Sequence, residues 1–216
     1  MKSQDIFLLL KLVSLSQQEK NSRREYEDGN LMNLDWEGWE VEDEFQAFRR
    51  KLGSLVHASF AARYTTRGIE TETGIGKSIV SQSLNRSVKV GLAKLERRTG
   101  LPRVNVKALT EFIVYGLKYV FPAEVSEVSR GIPTSFAAPV LKGKIMSAGE
   151  LIYIWPDARG SDMGQSVAPL YKSVPMAVKL DPYLYEYLAL VDAIRLGNAR
   201  EAEVATDELE RKLKIL

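Results

Sequence analysis

The chain has 216 residues with no cysteine, one histidine and a net charge of only +2. That length can bury a sizeable core. Missing cysteines exclude disulfides, thiolate chemistry and cysteine zinc sites, a lone His57 excludes a multi-histidine metal site, and a near-neutral balance confines any nucleic-acid surface to a local patch.

Ser3–Ser16 is the first expected helix, with Ile6, Leu9, Leu10 and Val13 at helical spacing. Phe7, Leu8, Leu12 and Leu15 make it apolar on much of its surface, so it packs on more than one side, inside the fold or in a dimer interface. Asp5 and Lys11 interrupt the apolar run, which reads as neither a signal peptide nor a bilayer span. The expected location is the cytoplasm.

Residues 25–44 hold nine acidic side chains and no lysine or arginine, with Trp36 and Trp39 embedded among them. An acidic run is ordinarily a solvated loop. The tryptophans also suit docking, on the body of the protein, on a partner protein, or over a basic patch. Val41–Ala62 follows as an expected helix striped by Phe45, Phe48, Leu52, Leu55 and Val56.

Tyr64–Leu92 reads as two short helices around a tight turn. Thr65 or Thr66 can cap the first, with Glu70 near the place of a capping box. Gly74 suits a C′ position, Ile75 plugs the corner, and the second helix runs from Ser78 to about Val90, stopped by Gly91. At 100° per residue, Val80, Leu84, Ser87 and Val88 share one face, and Ser78, Gln82, Asn85, Arg86 and Lys89 the other. Amides and hydroxyls for base edges, with cations for guanine or phosphate, are what a helix needs in the major groove. From Lys77 to Lys107 there are eight cations against the single acid Glu96. Lys94–Arg103 sits where a wing would be, and few β-formers flank its Gly100–Pro102 turn. The expectation is a stunted wing touching the DNA backbone through Arg97 and Arg98. The candidate DNA-binding set is Lys77, Ser78, Gln82, Asn85, Arg86, Lys89, Arg97 and Arg98.

Arg67, Ile69, Gly74, Ile75, Ser78, Val80, Ser81, Leu84, Arg86, Gly91 and Leu92 resemble the winged helix-turn-helix of MarR-like bacterial transcriptional regulators. Three positions depart from that pattern. Glu70 replaces a small alanine at the helix crossing, Thr73 replaces a leucine, and Gly68 weakens the first helix by about 1 kcal/mol relative to alanine. The first helix is therefore expected to be shifted or looser than in that family.

Asn105–Phe121 is expected as one apolar helix, capped by Asn105, stopped by Pro122 and central to the second half. Pro122–Ala148 reads as irregular, with 129–139 an ordered loop that packs on the core or lines a ligand pocket. Glu150–Trp155 is the clearest strand, and 156–169 reads as loop. A short helix at Ser173–Lys179 precedes one begun by Asp181–Pro182, with Leu184, Leu188, Val191 and Ile194 inward. Asn198 caps a last helix to Leu213, with Ala202, Ala205, Leu209 and Leu213 inward. This half resembles the C-terminal part of a group of bacterial helix-turn-helix proteins, which implies a mainly helical build. Gly76–Lys77–Ser78 ends like a phosphate-binding loop, but its first glycine would fall on Thr71 and no strand precedes it.

The fold expectation is mainly α with minor β. A winged helix-turn-helix domain spans 1–104, with an acidic insertion at 25–44, and a mainly helical domain spans 105–216. The functional expectation is a sequence-specific DNA-binding transcriptional regulator acting on double-stranded DNA as a homodimer, with no catalytic residues, metal or cofactor and no membrane span. The alternative is a protein-interaction module, such as an antitoxin or adaptor of a defence operon, working through residues 25–44.

Overall fold

The computed structural model describes residues 1–27, 60–144 and 151–214. The acidic stretch beyond residue 27, most of the helix expected at 41–62 and His57 lie outside the described residues. The described chain is mostly helical, with its strands confined to small sheets.

Helix α1 spans Ser3–Glu27, well past the expected end at Ser16. Ile6, Phe7, Leu8, Leu9, Leu10 and Leu15 are all fully buried, covering every direction around the axis. This helix runs through the middle of the molecule, against both the 66–104 region and the C-terminal helices. A single buried cluster contains Ile69, Ile75 and Val80 from one side of residue 104 and Leu109, Leu188 and Leu209 from the other.

Its polar residues are placed as carefully as its apolar ones. Lys11, 1% exposed, lies 2.6 Å from Asp181 and 2.6 Å from Glu72. The Ser14 hydroxyl donates to Asp181 at 2.7 Å. Arg63 closes the far end, pairing with Glu72 through Nε at 2.6 Å and Nη2 at 2.8 Å.

Helix α2 (Thr66–Thr73) and helix α3 (Lys77–Lys89) follow a helical turn at 60–63. Thr65 caps α2 by accepting from the Gly68 N–H, and Gly74 ends it at φ +68°. The departures noted in the sequence have local reasons. A Cβ on Gly68 would sit 2.5 Å from the Ala62 carbonyl oxygen, so the glycine allows the preceding turn to lie against α2. Thr73 is buried and donates to the Ile69 carbonyl at 2.6 Å, satisfying its hydroxyl inside the core. We expect Gly68→Ala to destabilise the protein, although alanine gains about 1 kcal/mol of helix propensity. Urea unfolding checks this, and a stabilised variant would show that the close approach is absent.

Strands β1 (Ala93–Leu95) and β2 (Pro102–Val104) form an antiparallel hairpin after α3. The apolar run expected as one helix is two, α4 (Val106–Tyr115) and α5 (Leu117–Val120), broken at Gly116. Only Leu109, Ile113 and Leu117 are buried, while Tyr115, Tyr119 and Val120 are exposed. The centre of the second half is instead α7 (Pro182–Leu196), begun by Asp181, which accepts from the Leu184 N–H. Leu184, Tyr187, Leu188, Leu190, Val191 and Ile194 bury it nearly all round.

A small three-stranded sheet takes up two stretches that read as irregular or loop in the sequence. Strand β3 (Val125–Pro133) pairs antiparallel with both β4 (Tyr153–Pro156) and β5 (Asp162–Val167), and β4 pairs parallel with β5. β3 is mostly exposed and lacks an apolar alternation, and β5 contains Gly164. That glycine is a close-approach residue, since a Cβ there would lie 2.3 Å from the Ile152 carbonyl oxygen. Asp192 of α7 ties the sheet down by accepting from Trp155 Nε1 at 2.6 Å, Thr134 Oγ1 at 3.2 Å and Arg195 Nη1 at 2.6 Å.

Helix α6 (Val174–Val178) is the short helix expected there, and α8 (Ala199–Leu213) carries a full capping box between Asn198 and Glu201. Ala205, Leu209 and Leu213 of α8 are buried and Ala202 is partly so. The Ser173 hydroxyl donates to the Thr73 carbonyl, so the chain entering α6 bears on the turn between α2 and α3.

Candidate nucleic-acid interface

The buried face of α3 is Val80, Ser83 and Ser87, with Ile79 and Leu84 packed partly against the core. This is one position round from the expected stripe, and Val88 is exposed. Ser83 and Ser87 are small, which suits the close packing of α1 on this face.

Ser78, Gln82, Asn85 and Lys89 are exposed together on the opposite face, and Lys77 is exposed at its start. Ser81 belongs with them at one helical turn from Ser78 and Asn85, a periodicity legible in the sequence but not used there.

Arg86 does not join them. Its Nε donates to Asp5 Oδ2 at 2.9 Å and its Nη2 to Asp5 Oδ1 at 2.6 Å, with Ser83 Oγ 3.1 Å away. This fork holds the start of α1 on α3 and corrects the assignment of Arg86 to the DNA-reading face. Burial pushes the Asp5 carboxyl up, but hydrogen bonds from Arg86, Ser83 and the Lys2 N–H outweigh it and hold it below its ordinary value.

Glu70 serves the second helix instead of capping the first. Its Oε1 accepts from the Lys77 N–H at 3.2 Å, and its other oxygen is 3.8 Å from Lys77 Nζ. Gly76 at the N-cap offers no side chain, so Glu70 fills that role from across the turn.

Arg97 and Arg98 are exposed in the loop between β1 and β2, where Gly100 turns the chain at φ +70°. The hairpin is anchored at its base. Arg103 donates to Glu19 and to the Tyr64 hydroxyl, each at 2.9 Å, and lies 3.4 Å from Glu96. Of the eight cations between 77 and 107, Arg86 and Arg103 are thus committed to carboxylates. Lys89, Lys94, Arg97, Arg98 and Lys107 are exposed and make no ion pair among the described residues.

The arrangement is a rigidly held helix with a polar, hydrogen-bonding outer face, beside a basic loop. Among the described residues no helix is long and apolar enough to cross a membrane, and no group of acidic or histidine side chains could hold a metal ion. No family model, curated protein or solved structure matches the chain.

Proposed function

We propose that the protein is a double-stranded-DNA-binding transcriptional regulator whose α2–turn–α3 unit acts as a helix-turn-helix and whose β1–β2 hairpin acts as a short wing. The observation that carries the reading is the outer face of α3. Ser78, Ser81, Gln82, Asn85 and Lys89 stand exposed while the reverse face is locked to α1. Gln82 and Asn85 carry the amides that read adenine edges. Lys77, Lys89, Arg97 and Arg98 contact phosphate and set register.

One such helix reads few base pairs, so the protein acts as a homodimer on a two-fold site. The reading gives no residue a catalytic role.

An electrophoretic shift with the protein's own promoter fragment, over a series of salt concentrations, tests it. The double variant Gln82→Ala, Asn85→Ala is expected to lose discrimination between promoter and random DNA without a change in thermal stability. The double variant Arg97→Ala, Arg98→Ala is expected to lower the slope of log affinity against log salt by about 2, at roughly 0.9 per phosphate contact. A protein that shifts no fragment at low salt would instead favour an interaction module working through residues 25–44.

A further inference from the structure

The stretch 129–139 borders a cavity of about 500 Å³ on the side of the molecule formed by the small sheet and α7. Its apolar wall is Ile132, Pro133, Val178 and the Tyr185 ring, and its polar rim carries Arg159 and Asp162.

The wall is preorganised. Pro133 is paired to Ile154 in the sheet, and its carbonyl accepts from the Tyr185 hydroxyl at 2.8 Å. Two residues on, Ser135 is held at φ +54° with its hydroxyl buried and unpartnered. Ser135 does not itself line the cavity, but Pro133 and Ala137 on either side of it do.

The rim is built as well. Asp157 accepts from the Arg159 N–H at 2.8 Å and from Lys179 Nζ at 2.6 Å. Gly160 packs so tightly on Gly131 that a Cβ would lie 2.1 Å from its carbonyl oxygen. The loop bearing Arg159 is therefore fixed at both sides.

The charges decide the ligand class. Lys179, which also lines the cavity, pairs with Asp157, and Arg159 acts on the same carboxylate at longer range. Neither Arg159 nor Asp162 has an ion-pair partner among the described residues, and Asp162 accepts from the neighbouring Ser161 hydroxyl. Burial pushes the Tyr185 hydroxyl up to about 12, and the Asp162 charge adds to that, so this carboxylate acts on the cavity wall. The site thus offers one unpaired cation, one carboxylate and an apolar wall between rigid prolines.

We propose that this cavity binds a small zwitterion with an apolar side chain, namely a free apolar α-amino acid. Arg159 takes its carboxylate, Asp162 its ammonium group, and Ile132, Pro133 and Val178 its side chain. This binding does not depend on DNA binding.

Calorimetric titration of the full chain, without DNA, tests it with L-leucine, L-valine and L-phenylalanine. Two analogues of leucine each lack one charge: 4-methylpentanoate and 3-methylbutylamine. At least one amino acid is expected to bind, and the two one-charge analogues of leucine to bind at least about tenfold more weakly than leucine itself, the loss of one charge-assisted hydrogen bond. Arg159→Ala and Asp162→Asn are each expected to give a similar loss. Arg159 is exposed, so its variant keeps the fold. No binding by any of the three amino acids, equal binding of the analogues, or undiminished binding by the Arg159 variant would overturn the proposal.

Discussion

Lys11→Met is expected to cost about 3–5 kcal/mol, because it removes one partner from a buried ionic cluster. Methionine keeps the length and apolar stem of lysine, so the loss reports charge and not a cavity. Asp181, 1% exposed, keeps the Ser14 hydroxyl, the Leu184 N–H and the longer-range charge of Arg63, but loses its only ion-pair contact among the described residues. Glu72 keeps Arg63 and suffers less. At roughly 2–4 °C per kcal/mol for a chain of this size, the thermal midpoint should fall by roughly 6–20 °C. Adding Asp181→Asn should restore part of the loss, since the amide still caps α7 and carries no charge to strand. A single variant within about 1 kcal/mol of the parent would show that Lys11 is not in this cluster.

Arg86→Ala is the second large effect, and it separates stability from recognition. Asp5 is fully buried and its fork to Arg86 is its only ion pair among the described residues. Stranding it costs about 2 kcal/mol, discounted because Arg86 itself reaches solvent at 28% exposure. DNA binding should weaken with it, because the fork fixes α1 on α3, whereas Gln82→Ala should leave the midpoint unchanged. The pH dependence gives a second readout. In the parent, the Asp5 carboxyl is lowered, so its contribution is present above its ordinary value of about 3.9 and is lost as pH falls through the lowered one. Without Arg86, burial is opposed only by the hydrogen bonds from Ser83 and the Lys2 N–H, so that carboxyl rises relative to the parent and the folded variant takes up a proton first. The deficit of the variant should therefore shrink between about pH 7 and about pH 4 in urea unfolding. A deficit constant over that range would mean that Arg86 stabilises the protein other than through Asp5.

Arg86 also shows where reading the sequence stops. Helical geometry put it with Gln82 and Lys89, since 100° per residue says where a side chain leaves the axis. It does not say where a long guanidinium ends. Only the position of Asp5, 81 residues earlier, decides that. Turn chemistry was easier to read. Thr65, Gly74, Asn105, Asp181 and Asn198 act locally, and each caps or ends its helix as its residue type requires. Strands β3 and β5 were invisible because their pairing is with each other and with β4, and their glycines serve close approach instead of turns. Apolar content misled at 105–121, where Tyr115 and Tyr119 face outward. The exposed polar face of α3 and the short basic hairpin were legible, because amphipathic period and local charge density are properties of neighbouring residues.

The central position of α1 has a consequence for synthesis. Its apolar surface is complete once residue 27 has been made, yet the contact from Lys11 to Asp181 closes a separation of 170 residues. At roughly 5–20 residues per second, the helix waits about 8–35 s on the ribosome before α7 can cover it. During that interval a run of buried leucines stands open to chaperones or to other nascent chains. The polar residues that interrupt it then serve twice: Lys11 and Ser14 join the halves in the finished protein and Asp5 holds α3, while all three keep the unfinished helix in water.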